Sequence, residues 1–163
     1  MAAESKANHP VRNEAGVRHL LQELNREDSQ LRSHLLDAAI AGLRLSRNPH
    51  SQELRGDVAK LWSSIEPVLS HHLDTEDSQV LPWLKEQKKI SAKTLSKIRE
   101  SHNGLRELMS AVASREPGTI GFEEARQIGK ALTALSVALD DMIDDEERRL
   151  LPTLRRVLFE SLP

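Results

Sequence analysis

One block of sequence occurs twice and constrains the fold of this 163-residue chain more than any other feature. The first copy runs from His72 to Pro82, and the second runs from Met142 to Pro152, 70 positions later. In each copy a glutamate stands four residues after the first position, and a Leu-Pro pair closes the block. Residues four apart lie on the same face of an α-helix, so the block has the spacing of a helix.

Apolar residues around both copies recur at steps of three and four residues, which is the spacing of one helix face. Four pairs match between the copies: Val58 and Ile128, Ile65 and Leu135, Leu69 and Leu139, Leu84 and Leu154. Two further apolar stripes extend over residues 31–45 and 95–112, and no long segment alternates with a period of two. The sequence therefore predicts an all-α fold, an up-down-up-down four-helix bundle built from two pseudo-symmetric helix pairs.

The ends and breaks of the helices follow from polar and proline residues. We expect residues 1–14 to form a flexible N-terminal arm and residues 15–160 to form the bundle. A short N-terminal helix is expected to end before Asn25, ahead of the first long helix. Pro67 and Pro82 are expected to kink the second long helix or to mark its end, because proline removes a backbone hydrogen bond.

Composition excludes several classes of function. The absence of cysteine excludes disulfides, thiolate nucleophiles and cysteine metal sites. No basic patch with aromatic residues suggests nucleic acid, and no apolar run reaches the roughly 18 residues needed to cross a membrane. The N-terminus lacks the apolar segment of a signal peptide, so we expect a cytoplasmic protein.

Polar residues interrupt the apolar stripe of every long helix. They are three histidines and two glutamates: His34, His72, Glu76, His102 and Glu146. Burying a carboxylate or an imidazole without a partner is costly, and a metal cation inside the bundle would compensate all of them at once. A single histidine on such a stripe is more often a core residue, and the acidic run around Glu146 is typical of a solvated face. The repeated spacing of the whole set favours a metal site.

The set resembles the hemerythrin-like (HHE cation-binding) domains. The resemblance covers roughly residues 28–158 and rests on a histidine in helix one, His-x-x-x-Glu with a Leu-Pro end in helix two, a histidine in helix three and a second Glu-Glu-x-x-Leu-Leu-Pro block in helix four. It implies a non-haem di-iron centre inside the bundle. It also implies that His34, His72 and His102 are terminal iron ligands, and that Glu76 and Glu146 are bridging carboxylates.

The chain departs from the family pattern at Met142, where the family has a histidine. A thioether is a poor ligand for the hard ferric ion. Three outcomes stay open: two irons with water, Asp141 or Asp145 filling the gap, one metal ion, or a site that binds none. Selection of Met142 as a copper(I) or haem ligand is disfavoured by the two hard glutamate ligands.

Two classes of function follow. The resemblance implies an iron protein that binds or senses oxygen, iron or redox state, with a small ligand such as dioxygen at the metal. The alternative is a metal-free or metal-poor bundle that acts as a regulatory module and binds a protein partner. No nucleophile–base pair is evident, so an enzyme is not expected beyond weak peroxide or nitric oxide chemistry at iron.

Overall fold

The computed structural model describes residues 14–113 and 120–160, and all regular structure in these ranges is helical. The α-helices are α1 (Glu14–Arg47), α2 (Gln52–Thr75), α3 (Leu81–Glu86), α4 (Ala92–Val112), α5 (Phe122–Asp145) and α6 (Leu151–Glu160). Two π-helical segments, π1 (Glu76–Val80) and π2 (Glu146–Leu150), join α2 to α3 and α5 to α6 without a break. Four helical rods result, which confirms the predicted all-α four-helix bundle.

The rods pack as antiparallel neighbours. Helix α1 makes its most extensive contacts with α5, followed by α2, and α4 packs chiefly on α5. The serines that precede α2 and α4 each accept a hydrogen bond from the backbone N–H of the third residue of the helix: Ser51 from Leu54 and Ser91 from Thr94. No helix in the described ranges has the length and apolar character needed to cross a bilayer.

Helix α1 is longer than the sequence pattern predicts. The expected end before Asn25 is wrong, because α1 continues from Glu14 to Arg47 and the Asn25 side-chain amide donates to the carbonyl of Leu21 inside it. The apolar positions continue in register through this point, since Leu24 and Leu31 are both fully buried. The predicted arm falls almost entirely outside the described residues.

The prolines do not end the second rod. Pro67 lies inside α2, and Pro82 stands at the start of α3, directly after π1. The N–H of Leu81 donates to the carbonyl of Glu76, five residues back, and Leu151 repeats this bond to Glu146. A wider turn directly before each Leu-Pro pair accommodates a ring that has no N–H and would collide with the carbonyl four residues back.

Two apolar clusters form the core of the bundle. The long core contains the buried apolar side chains of α2 and α5, and all three of its repeat-related pairs are buried: Val58 with Ile128, Ile65 with Leu135, and Leu69 with Leu139. The short core contains residues of the opposite end of the bundle, among them Leu24, Val80, Leu84, Leu150 and Leu154. The polar residues discussed next lie between these two cores.

Candidate metal centre

A buried polar layer crosses all four rods at the level where the long core gives way to the short core. On α1 the change falls between Leu31 and Leu24, and on the second rod it falls between Leu73 and Val80. The four predicted ligands His72, Glu76, His102 and Glu146 lie in this layer, and none is more than 6% exposed. Each glutamate begins a π segment, so the wide turn that accommodates the proline also positions a ligand.

The side chains of the layer lie within a few ångströms of one another. His72 Nε2 is 3.2 Å from Glu146 Oε2 and 3.8 Å from Glu76 Oε2. His102 Nε2 is 3.1 Å from the same oxygen of Glu76. Both imidazoles therefore direct Nε2 towards the two carboxylates at the centre of the bundle.

Asp28 of α1 is a further member of the layer that the sequence reasoning missed. Its Oδ1 lies 3.6 Å from His72 Nε2, and the residue is 4% exposed. Among the described residues, three groups of three have ligand atoms within 4.8 Å of one another. Two of them share Glu146: Asp28 with His72 and Glu146, and Glu76 with His102 and Glu146. The third, Glu23 with Glu27 and His71, lies outside the centre of the layer and includes an exposed histidine. The continuous stripe through Leu24, Asp28 and Leu31, with steps of four and three, carried a signal for this position.

The structure does not bring His34 into this layer. His34 is half-buried, six residues beyond Asp28 on α1, and it belongs to no such group in the described part of the chain. Asp141 is exposed, and Asp145 forms an ion pair with Arg149, so neither fills the position opposite Met142. The assignment of His34 as a ligand stays a prediction that this geometry does not support.

Each imidazole is held from behind by a carboxylate. His72 Nδ1 lies 3.2 Å from Glu27 Oε2, and His102 Nδ1 lies 2.8 Å from Asp77 Oδ1. Burial alone would raise the pKa of Glu27 and of Asp77, but hydrogen bonds from the histidines outweigh it and lower the pKa of both. An ionised carboxylate only accepts, so Nδ1 donates and Nε2 is left to face the centre. Histidines that bind metals are oriented in this way.

The supporting carboxylates are themselves fixed by other groups. His71 Nδ1 is 2.6 Å from the second oxygen of Glu27. Arg106 donates to Asp77 Oδ2 at 2.7 Å and to Asp74 Oδ1 at 3.1 Å. Asp77 is part-buried and orients His102, a role that the sequence analysis did not assign to it.

The layer contains more carboxylate oxygens than hydrogen-bond donors. Within residues 14–113 and 120–160, five buried oxygens accept no hydrogen bond: both of Asp28, both of Glu76, and Oε2 of Glu146. Burial raises the pKa of Asp28, and burial together with the Glu76 charge raises the pKa of Glu146. Buried oxygens of this kind need a proton or a cation, and a mixed carboxylate and imidazole donor set suits iron and other first-row transition metals.

The histidines respond to the same excess of negative charge. Burial lowers the pKa of His72, but hydrogen bonds to Glu146 and Glu27 outweigh burial and hold it well above its usual range. Burial also lowers the pKa of His102, but the charge of Glu76 and the hydrogen bond to Asp77 outweigh burial and raise it. Without a cation the layer therefore attracts protons, and a bound cation would replace them.

Met142 occupies the position where the repeat would supply a third histidine. It is 5% exposed and packs in the long core. One face of the residue lines a cavity of about 490 Å³ between α4 and the α5–α6 rod, together with His102 and Glu146. The departure from the repeat therefore leaves an apolar wall and open space beside the polar layer.

The comparisons with known proteins agree with this geometry. The family model described as the hemerythrin HHE cation binding domain matches residues 15–154. No curated protein and no solved structure matches the chain. The match covers both copies of the repeated block and every residue of the polar layer, and the chain belongs to the hemerythrin HHE cation binding domain family.

Proposed function

We propose that this protein holds non-haem iron in the polar layer and uses it to bind or sense oxygen, iron or redox state. The observation that carries the proposal is the set of five buried carboxylate oxygens without a hydrogen-bond donor, beside two imidazoles whose Nε2 atoms face the same point. A cation supplies what these atoms lack, and the donor set suits iron.

The two groups of convergent ligands support two adjacent cation positions. Asp28 and His72 would serve one, Glu76 and His102 would serve the other, and Glu146 would serve both. In this arrangement Asp28 supplies a ligand from α1, and Met142 leaves the second position with fewer protein ligands. That position would be the one open to a small ligand.

The chain's own residues would prepare the centre in three ways. Glu27 and Asp77 orient the imidazoles, the two apolar cores exclude water, and the excess carboxylate charge favours cation binding. Iron, when bound, supplies a redox-active centre with a position for a ligand such as dioxygen. Weak peroxide or nitric oxide chemistry and a cytoplasmic location are part of the same proposal.

A metal-free regulatory module remains the second candidate, and a specific observation favours it. The raised pKa values of His72 and His102 mean that protons can neutralise part of the layer without any cation. In that case the bundle would be folded and stable without metal, and its function would lie in a protein partner.

Metal content separates the two candidates. The full chain is produced in iron-supplemented medium, purified and measured for bound metals and for absorption in air. We expect about two irons per chain, and a loss of more than about tenfold in affinity in Glu76→Gln. Asp57→Asn, on the exposed side of α2, is the matched control and should retain the wild-type content.

A well-folded wild-type chain without metal would overturn the iron proposal and leave the regulatory module. Equal metal content in Glu76→Gln and in the wild type would show that the metal binds elsewhere.

A further inference from the structure

The cavity beside Met142 is large for a site that serves only a diatomic ligand. Its volume of about 490 Å³ falls within the roughly 300–1,000 Å³ typical of small-molecule sites. One water molecule occupies only about 30 Å³ of liquid, and a diatomic molecule needs little more. The cavity can therefore accept an organic molecule.

The floor and walls of this cavity are largely apolar. Leu84, Met142 and Leu150 are buried at its inner end, and Ile90 and Ile98 are half-buried along the walls. His102 and Glu146 also reach the floor, but their polar atoms face the other members of the polar layer. The long dimension of a ligand in this space would therefore contact methylene and methyl groups.

One cation on the rim has no partner in the described part of the chain. The ammonium of Lys89 pairs with Glu160, and the Arg149 guanidinium pairs with Asp145. Lys97 is exposed on α4, lines the cavity, and makes no hydrogen bond or ion pair with a described residue. Its ammonium is free to pair with an anionic group at the mouth.

We propose that this cavity binds an aliphatic monocarboxylate, with the chain against Met142 and Leu150 and the carboxylate at Lys97. The Lys97 ammonium at the rim and the buried Glu146 at the inner end set this orientation, because a carboxylate pointing inward would meet Glu146. The exposed Asp141 and the Asp145–Arg149 ion pair also line the cavity. The inference goes beyond the proposed iron function and does not require a bound metal.

Calorimetric titration of the full chain with sodium octanoate tests the proposal, on the metal-free and the iron-supplemented protein. We expect saturable binding to both, and an affinity that rises about fourfold for each methylene from butanoate to octanoate, because each methylene leaves water for the apolar wall. Lys97→Gln should weaken octanoate by about threefold, as for an ion pair at an exposed rim. Lys93→Gln, on α4 but off the cavity wall, should leave it unchanged.

Two further measurements keep the test decisive. Ile98→Trp should fill the cavity and reduce octanoate binding, with folding checked by circular dichroism. Octylamine, which carries the opposite charge, should bind more weakly than octanoate. Tighter binding of octylamine, no dependence on chain length, or equal octanoate affinity in Lys97→Gln and Lys93→Gln would each overturn the proposal.

The outcomes also separate this inference from the iron proposal. Octanoate binding to a chain that holds no iron would support the cavity and leave the iron proposal refuted. Iron binding without octanoate binding would refute the cavity proposal alone.

Discussion

At the residue scale, the structure and the sequence pattern point to different metal ligands on α1. The structure points to Asp28, and the sequence pattern points to His34. Asp28 is buried beside His72 and has two carboxylate oxygens without a donor, whereas His34 is half-buried and outside the polar layer. We expect Asp28→Asn to weaken iron binding by more than about tenfold, because a neutral amide is a poorer ligand. His34→Asn should leave the metal content unchanged, as measured by elemental analysis of the purified variants.

The opposite result, loss of metal in His34→Asn and not in Asp28→Asn, would show that His34 is the ligand, as the sequence pattern predicts. It would require α1 to move or rotate, since the two residues are separated by about one and two-thirds helical turns.

Met142 permits a second prediction about ligands. It stands four residues before Glu146, as His72 stands before Glu76. We expect Met142→His to add a nitrogen ligand to the open position and to tighten the weaker of the two irons, with elemental analysis and titration as the measurements. Met142→Leu keeps the volume and removes the sulfur, and it should behave like the wild type. No gain in bound iron in the histidine variant would show that the pocket cannot place an imidazole there.

The residues of the layer differ in how far the sequence could predict them. The shared spacing of the two blocks identified Glu76 and Glu146, and both begin a π segment in the structure. The predicted ligands His34 and His102 imply that α1 and α4 correspond at an offset of 68 positions, and the structure favours a different offset. In the structure Asp28 corresponds to His102, 74 positions later, and this register matches Leu31 with Leu105 and Ala38 with Val112. Steps of three and four recur along both helices, so periodicity alone allows several registers.

At the element scale, two glycines form a close backbone contact between α1 and α5. A Cβ on Gly42 would lie 2.6 Å from the carbonyl oxygen of Gly129, and a Cβ on Gly129 would lie 2.6 Å from that of Gly42. Backbone atoms of both helices form this contact, so neither side can yield by a change of rotamer. The glycines therefore set the spacing of the two rods on which Asp28 and Glu146 lie.

A glycine in this contact and a glycine with open space around it should respond in opposite ways to substitution by alanine. Gly42→Ala should lower the free energy of unfolding by about 3 kcal/mol, the upper end of the range for an overpacked core. Gly104→Ala, in α4 with open space around its Cα, should raise it by about 0.5–1 kcal/mol through helix propensity. Urea denaturation followed by circular dichroism measures both. A neutral effect of Gly42→Ala would mean that the rods separate at little cost.

Element boundaries were partly predictable. The end of α1 at Arg47, the cap at Ser91 and the start of α5 at Phe122 follow from local residue preferences. Local preferences do not predict that the helices continue through Pro67 and through the Leu-Pro pairs. This continuation depends on tertiary packing and, at the Leu-Pro pairs, on the π turns that accommodate the proline. Propensity alone places helix ends at these residues.

At the scale of the whole molecule, the polar layer divides the interior into two apolar cores. An apolar layer of the same volume would pack the bundle more tightly and avoid the desolvation of five unpaired oxygens. The bundle therefore carries a stability cost at its centre, which is the pattern expected where function and stability compete. A bound cation would pair with these oxygens, and the layer would then stabilise the bundle.

Metal removal tests directly whether the polar layer lowers stability without metal and raises it with metal. Chelation of the iron-loaded wild type should lower its Tm, because binding to the native state adds about 2.7 kcal/mol of stability at a hundredfold excess of free metal over Kd.

Metal-free Glu76→Gln should be at least as stable as the metal-free wild type, because the substitution removes a buried charge that accepts no hydrogen bond. Added iron should then raise the Tm of the wild type and of Asp57→Asn by more than that of Glu76→Gln. A metal-free Glu76→Gln that unfolds well below the metal-free wild type would show instead that partners within the protein satisfy Glu76, and that the layer is a structural network with no need of a cation.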